Sequence, residues 1–151
     1  MAAKIKRIQT EFKTLNTEGG ADYSATFPNE DNPFVWNVIL AGPPDSVYEG
    51  IRYKLEVTFS DQYPFKPPTI RFMTPIYHAN VMLTTGEICL DILKDNWSPV
   101  LTIPKVMISL RLLMAMPNVG SALNHYAGIL FQSDAAALKA KVHEMAAAYP
   151  V

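Results

Sequence analysis

Residues 86–93 read Gly-Glu-Ile-Cys-Leu-Asp-Ile-Leu, and they contain Cys89, the only cysteine among the 151 residues. A single thiol cannot form a disulfide within the chain, so it is either a small buried packing residue or a nucleophile. It lies in an irregular stretch, Thr74 to Thr102, that also holds His78-Ala79-Asn80 and Trp97-Ser98-Pro99. Long irregular stretches in a compact domain are usually functional, which favours a nucleophile.

The residues on the N-terminal side predict a helix followed by an antiparallel sheet. Apolar residues recur at helical spacing over residues 3–16, and Gly19-Gly20 ends this pattern. The four cations of the helix are expected to face water: Lys4, Lys6, Arg7 and Lys13. From Tyr23 to Phe72 the apolar residues alternate, which is typical of strands with one buried face. The clearest predicted strands are residues 34–40, 53–59 and 69–73.

The residues on the C-terminal side predict three helices. Pro104 suits the first turn of a helix that is apolar on most sides, so we expect this helix to lie in the centre of the core. Pro117 ends it, and a short helix is predicted at residues 121–131. Ser133-Asp134 can cap a last helix that runs to Ala148. The whole pattern predicts a single α+β domain over residues 1–151.

Composition narrows the class of protein. The net charge of −1 offers no general basic surface for nucleic acid. The chain has no run of 18 apolar residues and no apolar signal-peptide segment, so we expect a cytoplasmic protein that reaches a membrane only through a partner. Zinc-type spacing of Cys or His and a Gly-rich phosphate loop are both absent from the sequence. We therefore expect no metal and no cofactor, including ATP.

Four motifs in order resemble the ubiquitin-conjugating enzyme family: Tyr63-Pro64-Phe65-Lys66-Pro67-Pro68, His78-Ala79-Asn80, Ile88-Cys89-Leu90-Asp91-Ile92-Leu93 and Trp97-Ser98-Pro99. The resemblance implies an N-terminal helix, a four-stranded antiparallel meander, an active-site loop, a central core helix and two C-terminal helices. It also implies that Cys89 accepts ubiquitin as a thioester from an activating enzyme, which uses the ATP. The protein would then pass ubiquitin to a substrate held by a RING-type ligase.

A thiol suits this task because a thiolate is both a good nucleophile and a good leaving group.

Three other interpretations of the function remain open. The chain could be a cysteine hydrolase with a histidine base, although no hydrolase motif surrounds Cys89. It could be a non-catalytic relative that binds ubiquitin or a ligase, or it could carry a ubiquitin-like modifier.

The resemblance assigns roles to the neighbours of Cys89. Asn80 would donate its amide to an oxyanion or hold the active-site loop, unless it is a simple turn residue. His78 would brace the loop through hydrogen bonds. Asp91 could assist the transfer, or it could be a solvated loop charge.

Three departures from the family pattern accompany this resemblance. Ala79 replaces the usual proline, which restores a backbone N–H and frees φ. The interval from Asn80 to Cys89 is one residue longer than usual, and the sequence of residues 85–94 resembles that of the peroxisomal branch of the family. This branch modifies a cysteine of the peroxisomal import receptor. A membrane anchor protein holds it at the organelle. Ser121 stands where many members have an acid that helps deprotonate lysine. A thiol acceptor, with a reference pKa of about 8.5 against about 10.4 for lysine, needs less such help.

Docking positions also follow from the resemblance. Lys6 and Arg7 would contact the activating enzyme, unless they form an ordinary solvated helix face. Phe65, Pro99 and Val100 match the ligase-contact positions. Ser24 matches the position on the outer face of the sheet where some members bind a second ubiquitin.

Overall fold

Four helices and a four-stranded antiparallel sheet make up residues 2–151, which the computed structural model describes. The elements follow the chain in this order: α1 Ala2–Glu18, β1 Tyr23–Thr26, β2 Val35–Ala41, β3 Arg52–Thr58, β4 Thr69–Phe72, α2 Ile103–Ala115, α3 His125–Ser133 and α4 Ala135–Ala148. Short 3-10 turns occur at Asp91–Leu93 and Val119–Ser121. The predicted α+β class and the order of elements are confirmed.

The sheet is a simple meander, with strand order β1-β2-β3-β4 and every neighbour antiparallel. Val38 lies opposite Leu55, and Val57 lies opposite Ile70, so their side chains share the buried face. Because side chains alternate between the two faces of a strand, the period of two in the sequence correctly marked which residues enter the core. The strand boundaries differ from the predicted ones by a residue.

Helix α1 packs against the sheet and α2 through Ile8 and Leu15, which are both fully buried. The expectation that all its cations face water is wrong for two of them. The Lys4 side chain is only 9% exposed and its ammonium lies 4.6 Å from the Phe34 ring centroid. Arg7 is half-buried over the Tyr63 ring. The long stems of such side chains cover apolar surface, so their charge does not predict exposure.

Helix α2 begins after Thr102, and Pro104 lies in its first turn as predicted. One face enters the core through Val106, Met107 and Leu110. The predicted place of this helix in the centre of the core is confirmed, although Ile108 is 57% and Leu112 is 61% exposed on its outer side.

The helix predicted at residues 121–131 begins four residues later, as α3 at His125–Ser133, and Ser121 instead ends the 3-10 turn Val119–Ser121. Asn124 caps α3 by accepting a hydrogen bond from the Ala127 N–H, which a sequence scan for apolar spacing does not detect. Asp134 caps α4 in the same way, as predicted. No helix within residues 2–151 has the length and apolar character needed to cross a membrane.

Candidate active site

A hairpin-like turn over residues 81–88 carries the chain to Cys89. The Gly86 N–H donates to the Met82 carbonyl and the Met82 N–H donates to the Glu87 carbonyl, each at 2.8 Å. Gly86 has a φ of +76°, and its backbone carbonyl accepts from the Phe72 N–H at the end of β4. A Cβ at position 86 would collide with the Phe72 carbonyl, so only glycine fits here without strain. The turn is therefore fastened to the sheet, and the position of Cys89 depends on that sheet edge.

Cys89 follows this turn and lies half-buried beside an open groove of about 510 Å³. Its N–H donates to the Asn80 carbonyl at 2.8 Å. The groove is lined by residues from both sides: Cys89, Leu90, Asp91, Lys94, Asp95, Asn96, Leu113, Asn118 and Ser121. The thiol is therefore at the surface of the molecule rather than sealed in the core, which is where a nucleophile for a large acyl donor has to be.

Asn80 is completely buried; its backbone carbonyl bonds to Cys89, and its side chain bonds to the opposite wall of the groove. Its amide nitrogen donates to the backbone carbonyls of Asn118 at 2.8 Å and Ser121 at 3.1 Å, and its amide oxygen accepts from the Asn118 N–H at 2.8 Å. Both amide hydrogens are therefore used within the protein. This geometry braces the loop and leaves no free donor for an oxyanion.

His78 lies beneath this network and is 1% exposed. Its Nδ1 accepts from the Asn80 N–H at 2.9 Å, so its Nε2 carries the proton and donates to the Leu113 carbonyl at 2.9 Å. Burial lowers the pKa of His78 to about 4, because the charged imidazolium is poorly solvated there. A neutral ring with both nitrogens occupied can hold the loop, but it is not placed to act as an acid or a base.

Ala79 is 2% exposed and its carbonyl accepts from the Leu123 and Asn124 N–H groups, at 2.7 and 3.0 Å. These bonds tie the triplet to the start of α3. Among residues 2–151, the Ala79 N–H has no hydrogen-bond acceptor. The alanine thus occupies a position where a backbone donor is not required.

Asp91 and Ser121 lie on opposite sides of the groove. The Asp91 carboxylate accepts from the Ile92 N–H at 2.8 Å and from the Asn96 side chain at 2.9 Å, so it shapes the turn after Cys89. Ser121 is exposed, and no acid occurs in residues 118–121. Within the part of the chain that the structure describes, no three His, Cys, Asp or Glu residues form a cluster suited to a metal ion.

The candidate ligase surface consists of Phe65, Pro99 and Val100, which are all exposed. Phe65 is 77% and Val100 is 72% exposed, which is unusual for large apolar side chains. The Trp97 indole N–H donates to the Pro64 carbonyl at 2.8 Å. This bond joins the two loops, so the three residues form one surface.

The candidate activating-enzyme residues differ in their surroundings. Lys6 is exposed, whereas Arg7 donates to the Leu101 carbonyl at 2.8 Å and to the Glu11 carboxylate at 2.9 Å. The Arg7 guanidinium therefore makes hydrogen bonds within the protein, and less of it is available to a partner than of Lys6.

Glu11 is a structural residue that the sequence reasoning missed. It is 4% exposed, and its carboxylate also accepts from the Tyr63 hydroxyl at 2.7 Å and from the Ile103 N–H at 2.7 Å. The Ile103 N–H opens α2, where a negative charge is favourable. The spacing of Arg7 and Glu11, four residues apart on one helix, was a signal that could have revealed this ion pair.

Ser24 lies on the outer face of β1, where it is half-buried and paired with Ile39 of β2. This face is directed away from the core and away from α1. Ser24 therefore lies on the side of the sheet where a partner could dock.

Comparisons with known proteins agree with this fold. The family model for ubiquitin-conjugating enzymes matches residues 7–146. The chain superimposes on a candidate ubiquitin-conjugating enzyme from Plasmodium yoelii with a TM-score of 0.88 and 30% identity, over 98% of this chain and 96% of that one. It also superimposes on the E2 domain of a Toxoplasma gondii ubiquitin-conjugating enzyme with a TM-score of 0.84 and 28% identity, over 95% and 96% of the two chains.

The chain belongs to the ubiquitin-conjugating enzyme family. Members of this family generally work with ubiquitin, an activating enzyme and ligases, and they transfer ubiquitin through a thioester. The family assignment gives the half-buried Cys89 at the edge of this groove a defined chemical context.

Proposed function

We propose that this protein accepts ubiquitin from the activating enzyme as a thioester on Cys89 and passes it to a substrate with a RING-type ligase. The observation that carries the proposal is the position of Cys89, which is half-buried, lines an open groove and is fixed by the Asn80 carbonyl. In the loading step, the Cys89 thiolate attacks the carbonyl of the incoming thioester and the thiolate of the activating enzyme leaves. Such an exchange needs no strong base, because donor and product are both thioesters.

The experiment combines this protein with activating enzyme, ubiquitin and ATP, followed by a non-reducing gel. We expect a band shifted by one ubiquitin that disappears with added thiol and is absent in the Cys89→Ala variant. A non-catalytic relative that only binds ubiquitin would show no such band. Replacing ubiquitin by a ubiquitin-like modifier and its own activating enzyme tests the modifier in the same assay.

The proposed braces of the site are Asn80 and His78. The buried position of Asn80 and its three side-chain hydrogen bonds support a role in holding the groove, rather than in binding an oxyanion. The neutral, doubly bonded His78 ring supports the same role.

We further propose that the protein belongs to the peroxisomal branch and prefers a thiol acceptor, such as a cysteine of the import receptor. Two features of the sequence support the assignment to this branch. Residues 85–94 have the sequence Thr-Gly-Glu-Ile-Cys-Leu-Asp-Ile-Leu-Lys, and the loop before Cys89 is one residue longer than usual. A third feature is the wall facing Cys89, where Asn118 and Ser121 line the groove and no acid lies in residues 118–121. Asp91 lies on the other wall, and both of its carboxylate oxygens are already hydrogen-bonded.

The acceptor preference is tested by single-turnover discharge of the loaded protein to free cysteine and to free lysine. We expect faster discharge to cysteine. The Ser121→Asp variant should gain discharge to lysine, whereas the uncharged Ser121→Asn variant should not. Equal rates for both acceptors in the unmodified protein would contradict the preference.

Membrane placement is a separate proposal, since no helix within residues 2–151 could cross a membrane. We propose that a peroxisomal anchor protein holds this protein at the cytosolic face of the organelle. A tagged protein should co-purify with peroxisomes only while the anchor is present. An unchanged distribution after removal of the anchor would contradict this placement.

The docking surfaces are proposed on exposure and position. Phe65, Pro99 and Val100 are proposed to contact the ligase, and a Phe65→Ala variant should lose RING-stimulated discharge.

Lys6, with a smaller part played by Arg7, is proposed to contact the activating enzyme. The Lys6→Glu variant should therefore slow loading, while the control Lys139→Glu should not. Ser24 is proposed as a contact for a second ubiquitin, which a Ser24→Arg variant should weaken.

A further inference from the structure

Glu11 of α1 connects the two loops that carry the candidate ligase surface. It is 4% exposed, and its carboxylate accepts from the Tyr63 hydroxyl and from the Ile103 N–H, each at 2.7 Å. Tyr63 comes two residues before Phe65, and Ile103 comes three residues after Val100. One buried carboxylate therefore holds the loop of Phe65 and the loop of Val100 at the same point.

Arg7 adds a second connection to the loop of Val100. Its guanidinium donates to the Glu11 carboxylate at 2.9 Å and to the carbonyl of Leu101, the residue after Val100, at 2.8 Å. The same guanidinium lies 5.4 Å from the centroid of the Tyr63 ring. Hydrogen bonds that involve charged groups are short and strong, and they fix direction as well as distance. The pair of Arg7 and Glu11 therefore restrains both loops from the side of α1.

Trp97 joins the same two loops through a separate hydrogen bond. Its indole N–H donates to the Pro64 carbonyl at 2.8 Å, and its ring centroid lies 5.8 Å from that of Tyr63. The ring that Glu11 holds is thus a direct neighbour of the indole that links the loops. A displacement of Tyr63 would act on this link first.

We propose that Glu11 is a positioning residue for ligase docking, because it sets the distance between Phe65 and Val100. The inference rests on the proposed function, since it needs a RING-type ligase at this surface. Phe65 is 77% and Val100 is 72% exposed, so neither side chain is held by packing around itself. Loops that are already fixed in the bound arrangement lose less conformational entropy when a partner docks.

The first test measures the link between the loops in the protein alone. The chain has two tryptophans, so ¹⁵N spectra show two indole N–H signals, whose hydrogen exchange can be followed separately. Trp36 is fully buried and donates to the Pro33 carbonyl at 3.2 Å, so its exchange reports on the whole fold. In Glu11→Ala we expect the Trp97 indole to exchange at least about tenfold faster than in the unmodified protein.

The control for a general loss of stability is Val142→Ala, a truncation of a buried side chain in α4. Trp36 exchange should rise in this variant as in Glu11→Ala, whereas Trp97 exchange should rise in Glu11→Ala alone. A rise at both indoles in both variants would overturn the inference, because Glu11 would then support only the fold.

The second test measures docking with a purified RING domain that stimulates discharge of ubiquitin from the unmodified protein to free cysteine. The readout is the ratio of the discharge rates with and without the RING domain, at a temperature where circular dichroism shows each variant folded. We expect the ratio to fall by about tenfold in Glu11→Ala. The ratio in Val142→Ala should match that of the unmodified protein.

Two milder variants separate positioning from folding. Glu11→Gln keeps the length of the side chain, and its amide can still accept from the Ile103 N–H and donate to the Tyr63 oxygen, so most of the stimulation should return. Tyr63→Phe removes only the hydroxyl, so the ratio should lie between those of Glu11→Ala and the unmodified protein.

Unchanged stimulation in Glu11→Ala, together with a loss in Phe65→Ala, would overturn the inference and leave the proposed ligase surface standing. Unchanged stimulation in both variants would mean that the ligase docks elsewhere, so the proposed surface and this inference would both fail.

Discussion

The backbone carbonyl of Asn80 accepts a hydrogen bond from the Cys89 N–H at 2.8 Å. The side chain of the same asparagine holds the backbone of Asn118 and Ser121 on the other wall of the groove. One buried residue therefore fixes the distance between Cys89 and the loop that faces it. Because the backbone bond to Cys89 does not depend on the side chain, mutation can separate the two functions of Asn80.

Replacing Asn80 by alanine should lower the free energy of unfolding by about 2–3 kcal/mol, because the Asn118 N–H and two backbone carbonyls lose their partners at a partly buried site. Chemical denaturation measures this loss, and amide hydrogen exchange should rise in residues 118–121. The control is Asn96→Ala, which removes an exposed hydrogen bond and should change the free energy by about 0.5 kcal/mol or less. Unchanged stability with slowed ubiquitin discharge would instead indicate that Asn80 acts on the oxyanion.

The buried His78 should make the protein less stable as the pH falls. Its pKa is about 4 in the folded protein, against 6.5 for an exposed histidine. Above pH 6.5 the ring is neutral in both states, so stability is fully present. Between pH 6.5 and pH 4 the unfolded chain binds a proton that the folded protein does not, so stability falls, by about 3 kcal/mol in total.

A His78→Asn variant provides the comparison for this effect. The amide oxygen can accept from the Asn80 N–H in place of Nδ1, and the variant has no imidazole to protonate. Its stability should therefore depend less steeply on pH than that of the unmodified protein, when both are measured by denaturation from pH 7 to pH 4. In NMR spectra of ¹⁵N-labelled protein, the His78 ring should remain neutral with its proton on Nε2 at pH 5.5. Parallel pH dependences, or a protonated ring at pH 5.5, would argue against this account.

The Ala79→Pro variant should fold normally, with an unfolding free energy within about 1 kcal/mol of the original value. The reason is that the Ala79 N–H has no acceptor among residues 2–151, so proline removes no hydrogen bond. The comparison is Val81→Pro, because the Val81 N–H donates a hydrogen bond to the His78 carbonyl at 3.2 Å. Proline removes this donor, which should lower the free energy of unfolding by about 3 kcal/mol. Similar losses in the two variants would show that the alanine supplies a freedom of φ that the loop needs.

Glu11 is expected to contribute more to stability than any other acid of α1. In Glu11→Ala, the Tyr63 hydroxyl, the Ile103 N–H and the Arg7 guanidinium lose their shared partner, which should cost about 3 kcal/mol. Glu18→Ala, at the exposed end of the same helix, should change the unfolding free energy by about 0.5 kcal/mol or less. The expectation fails if thermal denaturation gives the two variants equal melting temperatures.

The sequence predicted the sheet and the helix order well, because periodicity reports directly on which side chains are buried. Alternation over Tyr53, Leu55 and Val57 identified the core face of β3, and Asp134 identified the start of α4. The core position of α2 was predicted correctly, but its apolar pattern did not reveal that Ile108 and Leu112 are exposed, with nothing packed over them among the described residues. Composition alone cannot distinguish a core-facing apolar residue from one on an open face.

The sequence motifs predict residues for the candidate site, but they do not predict the hydrogen bonds that connect those residues. The motifs located Cys89 and the His78-Ala79-Asn80 triplet, yet the bonds from Asn80 to Asn118 and Ser121 join positions about forty residues apart, which no local pattern reveals. The buried Glu11 was missed for a related reason, because its partners Tyr63 and Ile103 come from other parts of the chain. Long-range hydrogen bonds depend on the packed fold, whereas local spacing reports only on neighbours.

The Cys89→Ser variant tests the central claim most directly, because it changes the bond that the account assigns to ubiquitin. With activating enzyme, ubiquitin and ATP, the unmodified protein should form a conjugate that thiol cleaves. The serine variant should form an oxygen ester that resists thiol and is cleaved by hydroxide. A conjugate that remains sensitive to thiol in the serine variant, or one that forms equally in Cys89→Ala, would contradict the assignment of Cys89 as the acyl carrier.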